Sequence, residues 1–351
     1  MSAVRLKDVA DRAGVSVKTV SNVVRELPGV SSATRESVLR AVEELGYRPN
    51  STARGLRTGR SGLIALAVPD LAVPYFAELA QHVRLEAARV GLTLLAEETS
   101  GSPEEERRLA AGLGSSMLDG VILSPLRVEP AELAEITEDF PLVLLGERSY
   151  AHTEVRADHV LIDNVAAARE ATAHLASLGR TRIAAIGAQQ PAPATSRQRL
   201  EGFQLALHDA GLTYDPRLTA TVPEFDRASG LAAVRRLLEL PPELRPDAAF
   251  CFSDLLAVGA QRGLYEAGLR APDDIALAGV DGSEEALYST PSLTTVVPDK
   301  GVLAAQAVKA LAARISAKAS PPYAVHIAPH RLEVRESTSG VREAIGGGDG
   351  G

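Results

Sequence analysis

Gly14 lies between two stretches of helical periodicity, and that residue type at that place defines the first chemistry open to this chain. Leu6, Val9, Ala10 and Ala13 recur at helical spacing before it. Val17, Val20 and Val24 share a face after it, and Ser16 is placed to cap the second helix. Two short helices joined by Ala13-Gly14-Val15-Ser16 fit a helix-turn-helix: glycine permits the tight turn, and the second helix can lie in a major groove. The charge balance agrees. Residues 1–60 carry eleven Lys and Arg against six Asp and Glu, a net +5, whereas the whole chain is at −8, so the remainder stands at −13. A basic head on an acidic body directs only the head to a polyanion.

Constellations for catalysis are missing. The sequence holds no Gly-x-x-x-x-Gly-Lys-Ser/Thr loop, no Gly-x-Ser-x-Gly elbow and no Gly-x-Gly-x-x-Gly after a strand. Seven histidines show no metal-ligand clustering; His326 and His330 are four apart, but in a Pro-bounded, strand-like stretch. No metal or cofactor is expected, and no enzyme activity. Glu104, Glu105 and Glu106 follow Pro103 and read as a solvated first helical turn, favoured there by the helix dipole. Cys251, the one cysteine, lies in an apolar run and reads as a buried small hydrophobe; it excludes an internal disulfide and fits a reducing cytoplasm. No apolar run is long enough to span a bilayer, and the charged first residues do not form a signal peptide.

These residues need elements to position them. A loop at Pro28-Gly29 precedes a third helix from about Thr34, capped by Ser31 or Ser32, with Val38, Leu39, Val42 and Leu45 inward and Gly46 at its end. From Gly62 the pattern changes to β-rich runs at 63–68, 92–96, 121–123, 142–145, 183–186, 248–252 and 275–280. Amphipathic helical stretches such as 76–90 and 164–178 alternate with them. Alternation of this kind means parallel sheets, and 351 residues with 45% hydrophobic content can build several cores. The expected fold is a small all-α helix-turn-helix domain followed by α/β, two doubly wound parallel-sheet lobes with a cleft at the carboxyl ends of their strands. The expected boundaries are 1–48 for the head, 49–61 for a hinge or linker, 62–340 for the body and 341–351 for a glycine-rich disordered tail. Lobe 1 is expected over about 62–161 and 297–320, lobe 2 over about 162–292 and 323–340.

Ala-Gly-Val-Ser-x-x-Thr-Val-Ser over 13–21 reaches beyond generic spacing. With Leu6-x-Asp8-Val9-Ala10 before it, and Val30-Ser31-x-x-Thr34-Arg35-x-x-Val38 and Leu45-Gly46-Tyr47-x-Pro49-Asn50 after it, the head resembles the LacI/GalR family of bacterial repressors. The resemblance runs to about residue 340. It implies that Val17 and Lys18 face base edges, chemistry that suits a thymine methyl and guanine O6 or N7. It implies phosphate or base contacts for Ser16, Thr19 and Ser21. Asn22 departs from the arginine common at its position and would favour adenine over guanine. Leu6, Ser31, Thr34, Tyr47, Asn50 and Ala53 join the implied DNA-facing set. Pro49-Asn50-x-x-Ala53-Arg54-Gly55-Leu56-Arg57 looks like the family's hinge helix. It is too short to be stable alone, since roughly 12–15 residues are marginal even for good formers. Leu56 is then the wedge between central base steps, and Arg54 and Arg57 offset phosphate charge.

For the body the resemblance implies a periplasmic-binding-protein-like pair of lobes closing on a small molecule, a sugar or sugar derivative. Tyr75 and Phe76 would form a stacking platform, in a chain with only seven Tyr, six Phe and no Trp. Arg199, in Arg-x-x-Gly-Phe, offers a planar donor fork, and Asp281 an acceptor carboxylate, a pair that suits neighbouring hydroxyls. Glu147, Phe225 and Ser253 complete the implied effector set; Ser253 stands where an amide is usual, and Pro298 also departs from the pattern. The expected partners are an operator in double-stranded DNA, bound by a homodimer, and the effector, with no membrane. Ligand-driven closure would alter a dimer interface near residues 70–115 and so the DNA grip. The body alone would also suit an enzyme or a transport binding protein. The absent catalytic motifs argue against the first, and the basic head and missing signal peptide against the second.

Overall fold

The computed structural model describes residues 4–24, 28–47, 60–112, 118–136, 140–146, 155–190, 192–317 and 322–339. Two compact units divide at Gly62/Leu63.

The head holds α1 (Leu6–Ala13), α2 (Val17–Val24) and α3 (Ser32–Leu45). Gly14 ends α1 at φ +67°, a left-handed turn that a side chain would strain. Ser16 then caps α2, its Oγ accepting from the Thr19 N–H at 3.1 Å, and Ser31 caps α3 by accepting from the Thr34 N–H at 3.3 Å. Val9, Ala10, Val20, Val23, Val38, Ala41 and Tyr47 make the core. The expectation that Leu39 points inward is wrong: it is 50% exposed. The inward stripe of α3 runs Val38, Ala41, Val42, Leu45, and a residue one step from Val38 is turned about 100° off that stripe.

The body holds two six-stranded sheets. In the first, β1 (Leu63–Val68), β2 (Thr93–Glu98), β3 (Gly120–Leu123), β4 (Leu142–Leu145), β5 (Asp158–Ile162) and β11 (Val325–Ala328) take the order β11-β5-β4-β3-β1-β2, all parallel. In the second, β6 (Ile183–Ala188), β7 (Thr219–Thr221), β8 (Ala248–Cys251), β9 (Ala276–Val280), β10 (Thr294–Pro298) and β12 (His330–Glu333) take the order β12-β10-β9-β8-β6-β7. Only the β10/β12 pair is antiparallel. The central strands are buried along their length, so they read as unbroken apolar runs rather than as alternation.

The intervening helices are α4 (Pro74–Arg89), α5 (Pro103–Ala110), α6 (Pro130–Ile136), α7 (Asn164–Ser177), α8 (Ala194–Asp209), α9 (Arg227–Leu238), α10 (Asp254–Glu266), α11 (Glu284–Tyr288), α12 (Lys300–Ser316) and α13 (Glu336–Ser339). Helices α4 and α12 pack on the first sheet, α7 on the second. The chain therefore passes between the lobes three times, after β5, after β10 and after β11. Two of these crossings are tied together, the Asp299 N–H donating to the Pro329 carbonyl at 2.9 Å. The strand order reverses between β1 and β3 in one lobe and between β6 and β8 in the other. Such switch points are where open α/β sheets take ligands.

Candidate functional site

In the head, the start of α2 is turned to solvent. Val17 is 45% exposed and Lys18 is exposed, while Val20 and Val23 from the same helix fill the core. An apolar side chain left outside a small core at the first turn of a helix is free to meet a base edge. Ser16 and Thr19 stand beside it with their hydroxyls 2.9 Å apart; Ser21 and Asn22 are half-buried further along. Leu6 packs partly against the core. Ser31 and Thr34 form one capping unit, their hydroxyls 2.8 Å apart. The Tyr47 ring is 8% exposed and belongs to the core, where burial also raises its hydroxyl pKa, so its packing role is direct. Asn50, Ala53, Arg54, Leu56 and Arg57 of the hinge, and Glu147 of the body, lie outside the described residues.

In the body, the Arg-x-x-Gly-Phe signature divides by role. Phe203 is buried in the core. Gly202 lets α8 approach α7: a Cβ there would stand 2.2 Å from the Val165 carbonyl oxygen. Arg199 is 4% exposed and reaches three elements. Its Nε donates to Asn164 Oδ1 at 2.7 Å, its Nη1 to the Phe252 carbonyl, and Nη1 lies 3.9 Å from Asp281 Oδ1. Asp281 is held at φ +133°, a backbone state that costs about 1–3 kcal/mol and collects at functional sites. Its Oδ2 accepts from the Asp254 N–H at 3.3 Å. Asp254 is itself buried, accepting from Thr295 Oγ1 at 2.6 Å and from the N–H and hydroxyl of Ser283 at 2.8 and 3.0 Å. Burial pushes the Asp281 carboxyl up to about 7 against the pull of Arg199, and pushes Asp254 up to about 6 against its hydrogen bonds.

The other expected effector residues are placed as follows. Ser253 is buried and its hydroxyl is engaged, capping α10 by accepting from the Leu256 N–H at 3.2 Å. Phe225 is half-buried, edge-on to Phe252 at 6.4 Å. Tyr75 and Phe76 meet edge to face at 5.3 Å, half-buried at the start of α4. Lys300 lies 5.4 Å from the Tyr75 ring centre and donates to Glu78 Oε2 at 2.7 Å and to the Gly282 carbonyl at 2.9 Å. Glu78 also accepts from the Glu284 N–H at 3.0 Å. Glu78 and Lys300 belong to lobe-1 helices and Gly282 and Glu284 follow β9, so this cluster links the lobes. Sequence reasoning did not single out Glu78 or Lys300, since each reads as an ordinary helix charge.

The reading of Glu104–Glu106 as a solvated turn fails at Glu106, which is fully buried. Its Oε1 accepts from the Leu126 N–H at 2.8 Å, and its Oε2 from the N–H groups of Arg127 and Val128 at 3.1 and 2.7 Å. Three consecutive backbone donors replace its lost water, the condition for burying a carboxylate. The loop it holds forms one wall of a cavity of about 960 Å³ whose other walls are the segments after β6 and β7 in lobe 2.

A helix-turn-helix head with an exposed second-helix start, and a two-lobed body whose second lobe brings a buried donor and acceptor together beside its switch point, define a DNA-binding regulator with an effector-binding domain. Comparison with known proteins agrees. Residues 5–50 match the bacterial regulatory proteins of the lacI family, and residues 172–338 match a periplasmic binding protein-like domain. The HTH-type transcriptional repressor PurR of Aliivibrio fischeri is 33% identical over 315 residues, covering 89% of this chain and 92% of PurR. Among solved structures, a transcriptional regulator CelR–cellobiose complex is 33% identical with a TM-score of 0.70, covering 95% of this chain and 99% of that one. The lac repressor dimer bound to operator and the anti-inducer ONPF is 26% identical with a TM-score of 0.79, covering 96% and 99%. The chain belongs to the LacI family of DNA-binding transcriptional repressors and is not an enzyme.

Proposed function

We propose that the chain grips a palindromic operator in the cytoplasm as a homodimer, and that a sugar or sugar derivative in the cleft alters that grip. The observation that carries the effector half is the buried Arg199–Asp281 pair, a planar donor beside an acceptor at the switch point of lobe 2. Such a pair suits two neighbouring hydroxyls. The CelR relative solved with cellobiose and the lac repressor solved as an operator-bound dimer support both halves. On this reading residues 1–48 read DNA through Val17, Lys18 and Asn22. Residues 49–61 act as the hinge, with Leu56 as wedge and Arg54 and Arg57 on phosphates, and residues 62–340 bind effector and pair the subunits.

The test is fluorescence anisotropy on an operator selected from random DNA, titrated with sugars. Lys18→Ala is expected to weaken operator binding about tenfold or more, the value of roughly one good base contact, and to leave sugar binding intact. Asp281→Ala is expected to keep operator binding and lose the sugar response. Binding and DNA grip must be coupled reciprocally. A bound sugar that leaves operator affinity unchanged overturns the coupling, and operator binding as a monomer overturns the dimer.

A further inference from the structure

We infer that the cavity at the outer end of the cleft is a second carbohydrate subsite, so that the effector is an oligosaccharide of two or more rings; this rests on the carbohydrate reading above. The cavity measures about 960 Å³, at the upper end of the range of small-molecule sites, roughly 300–1,000 Å³. Arg127 and Glu129 face it from lobe 1, and Gln189, Arg197, Glu224 and Arg236 from lobe 2. It adjoins the inner pair along the chain: Gln198, also in its wall, directly precedes Arg199, and Glu224 directly precedes Phe225.

The lining decides the ligand class. Guanidiniums and amides donate, while carboxylates and amide oxygens accept, and both kinds occur in the lobe-2 wall. The Arg127 guanidinium and the Glu224 carboxylate have no side-chain partner among the described residues. With three guanidiniums and two carboxylates in the lining, a ligand of either charge meets like charge as well as opposite. An apolar one would desolvate guanidiniums and amides without replacing their hydrogen bonds. A neutral group rich in hydroxyls, each able to donate and accept, satisfies both kinds. Glu106 supplies an independent observation. A fully buried carboxylate is committed to holding the backbone of Leu126, Arg127 and Val128, so the lobe-1 wall is fixed before a ligand arrives. Pre-set walls lower the ordering cost of binding.

The test is calorimetric titration of the full-length protein with one-, two- and three-ring members of the β-1,4-glucose, α-1,4-glucose and β-1,4-xylose series, and with glucose 6-phosphate. The expected result is a gain of at least tenfold in affinity from one ring to three within one series. That gain is expected to vanish in Arg127→Ala/Glu224→Ala, which removes two exposed side chains and leaves the fold intact by circular dichroism. Equal affinity for one and three rings overturns the second subsite alone. A gain that survives in the double variant overturns its assignment to this cavity. Glucose 6-phosphate binding more tightly than glucose, with Arg127 needed for the difference, overturns the neutral class. Binding of no sugar overturns the carbohydrate reading and the inference with it.

Discussion

Arg199 and Asp281 stand 3.9 Å apart, guanidinium to carboxylate, with side chains 5% and 13% exposed. They come from different elements, the first turns of α8 and the end of β9, and Arg199 also reaches Asn164, where the chain crosses between the lobes. Donor, acceptor and crossing point are thereby joined, and a ligand that engages the first two acts on the third.

Replacing Arg199 by Met leaves Asp281 buried without its cation. Breaking a buried pair from one side costs about 3–5 kcal/mol, whereas removing both charges is far milder. Urea denaturation is expected to show a loss of that size for Arg199→Met and recovery of a large part of it in Arg199→Met/Asp281→Asn. Equal stability of the two variants would mean that Asp281 has taken up a proton once Arg199 is gone, as burial favours.

The raised carboxyls make stability depend on pH. A carboxyl whose folded-state pKa lies near 7, against an ordinary value near 3.8, favours folding fully only below about 3.8, and its contribution is lost as pH rises through about 7. Relative to Asp281→Asn, the wild type should therefore lose stability between pH 4 and 7. Parallel melting curves across that window check it, and identical pH profiles would contradict it.

Most of the fold was legible because the buried central strands are unbroken apolar runs and the helices between them are amphipathic. Of the strands not singled out, β7 (Thr-Ala-Thr) and β10 (Thr-Thr-Val-Val-Pro) are short and open on threonine, while β5 and β12 depend on tertiary contacts. β5 opens with Asp158 and His159, polar residues that stay in a sheet because Arg314 pairs with the first at 2.7 Å and the Gly146 carbonyl lies 2.7 Å from the ring of the second. β12 is His-Arg-Leu-Glu, an edge strand with no apolar pattern. At the site, Arg199 and Asp281 were legible through motif and strand end. Glu106 was not, because three acidic residues at a helix start look alike until the loop at 126–128 closes over one of them.

Glu106→Gln keeps the shape but turns one acceptor into a donor facing backbone N–H groups. Each buried donor left unsatisfied costs about 1–3 kcal/mol. A drop of that order in urea stability is expected, with faster hydrogen exchange at Leu126–Val128 and weaker binding of multi-ring sugars. Unchanged exchange at those amides would show that the loop holds without the carboxylate.

Gly202→Ala is expected to separate α7 from α8. The added methyl would lie 2.2 Å from the Val165 carbonyl oxygen and 2.9 Å from the Ala168 Cβ, and backbone cannot yield as a flexible side chain can. Overpacking of this kind costs about 1–3 kcal/mol. Because α8 carries Arg199, effector affinity should fall together with the melting temperature, and operator binding by the separate head unit should change least.

Lys300→Met tests the link between the lobes. Lys300 joins Glu78 of lobe 1 to the Gly282 carbonyl of lobe 2, and Glu78 in turn accepts from the Glu284 N–H. Removing the ammonium deletes one cross-lobe bond outright and leaves Glu78 to swing away from the other. Helix α4 and helix α12 keep their packing through Leu79, Val83, Leu303 and Ala307, so each lobe stays folded. The variant should favour the open arrangement. Its radius of gyration by small-angle X-ray scattering should rise without ligand, and saturating effector should bring it back. Effector affinity should fall by the free energy needed for that closure, since a ligand selecting a less populated state binds in proportion to its population. An unchanged scattering curve would mean that the three chain crossings alone set the lobe arrangement, with the Glu78–Lys300 pair not holding it.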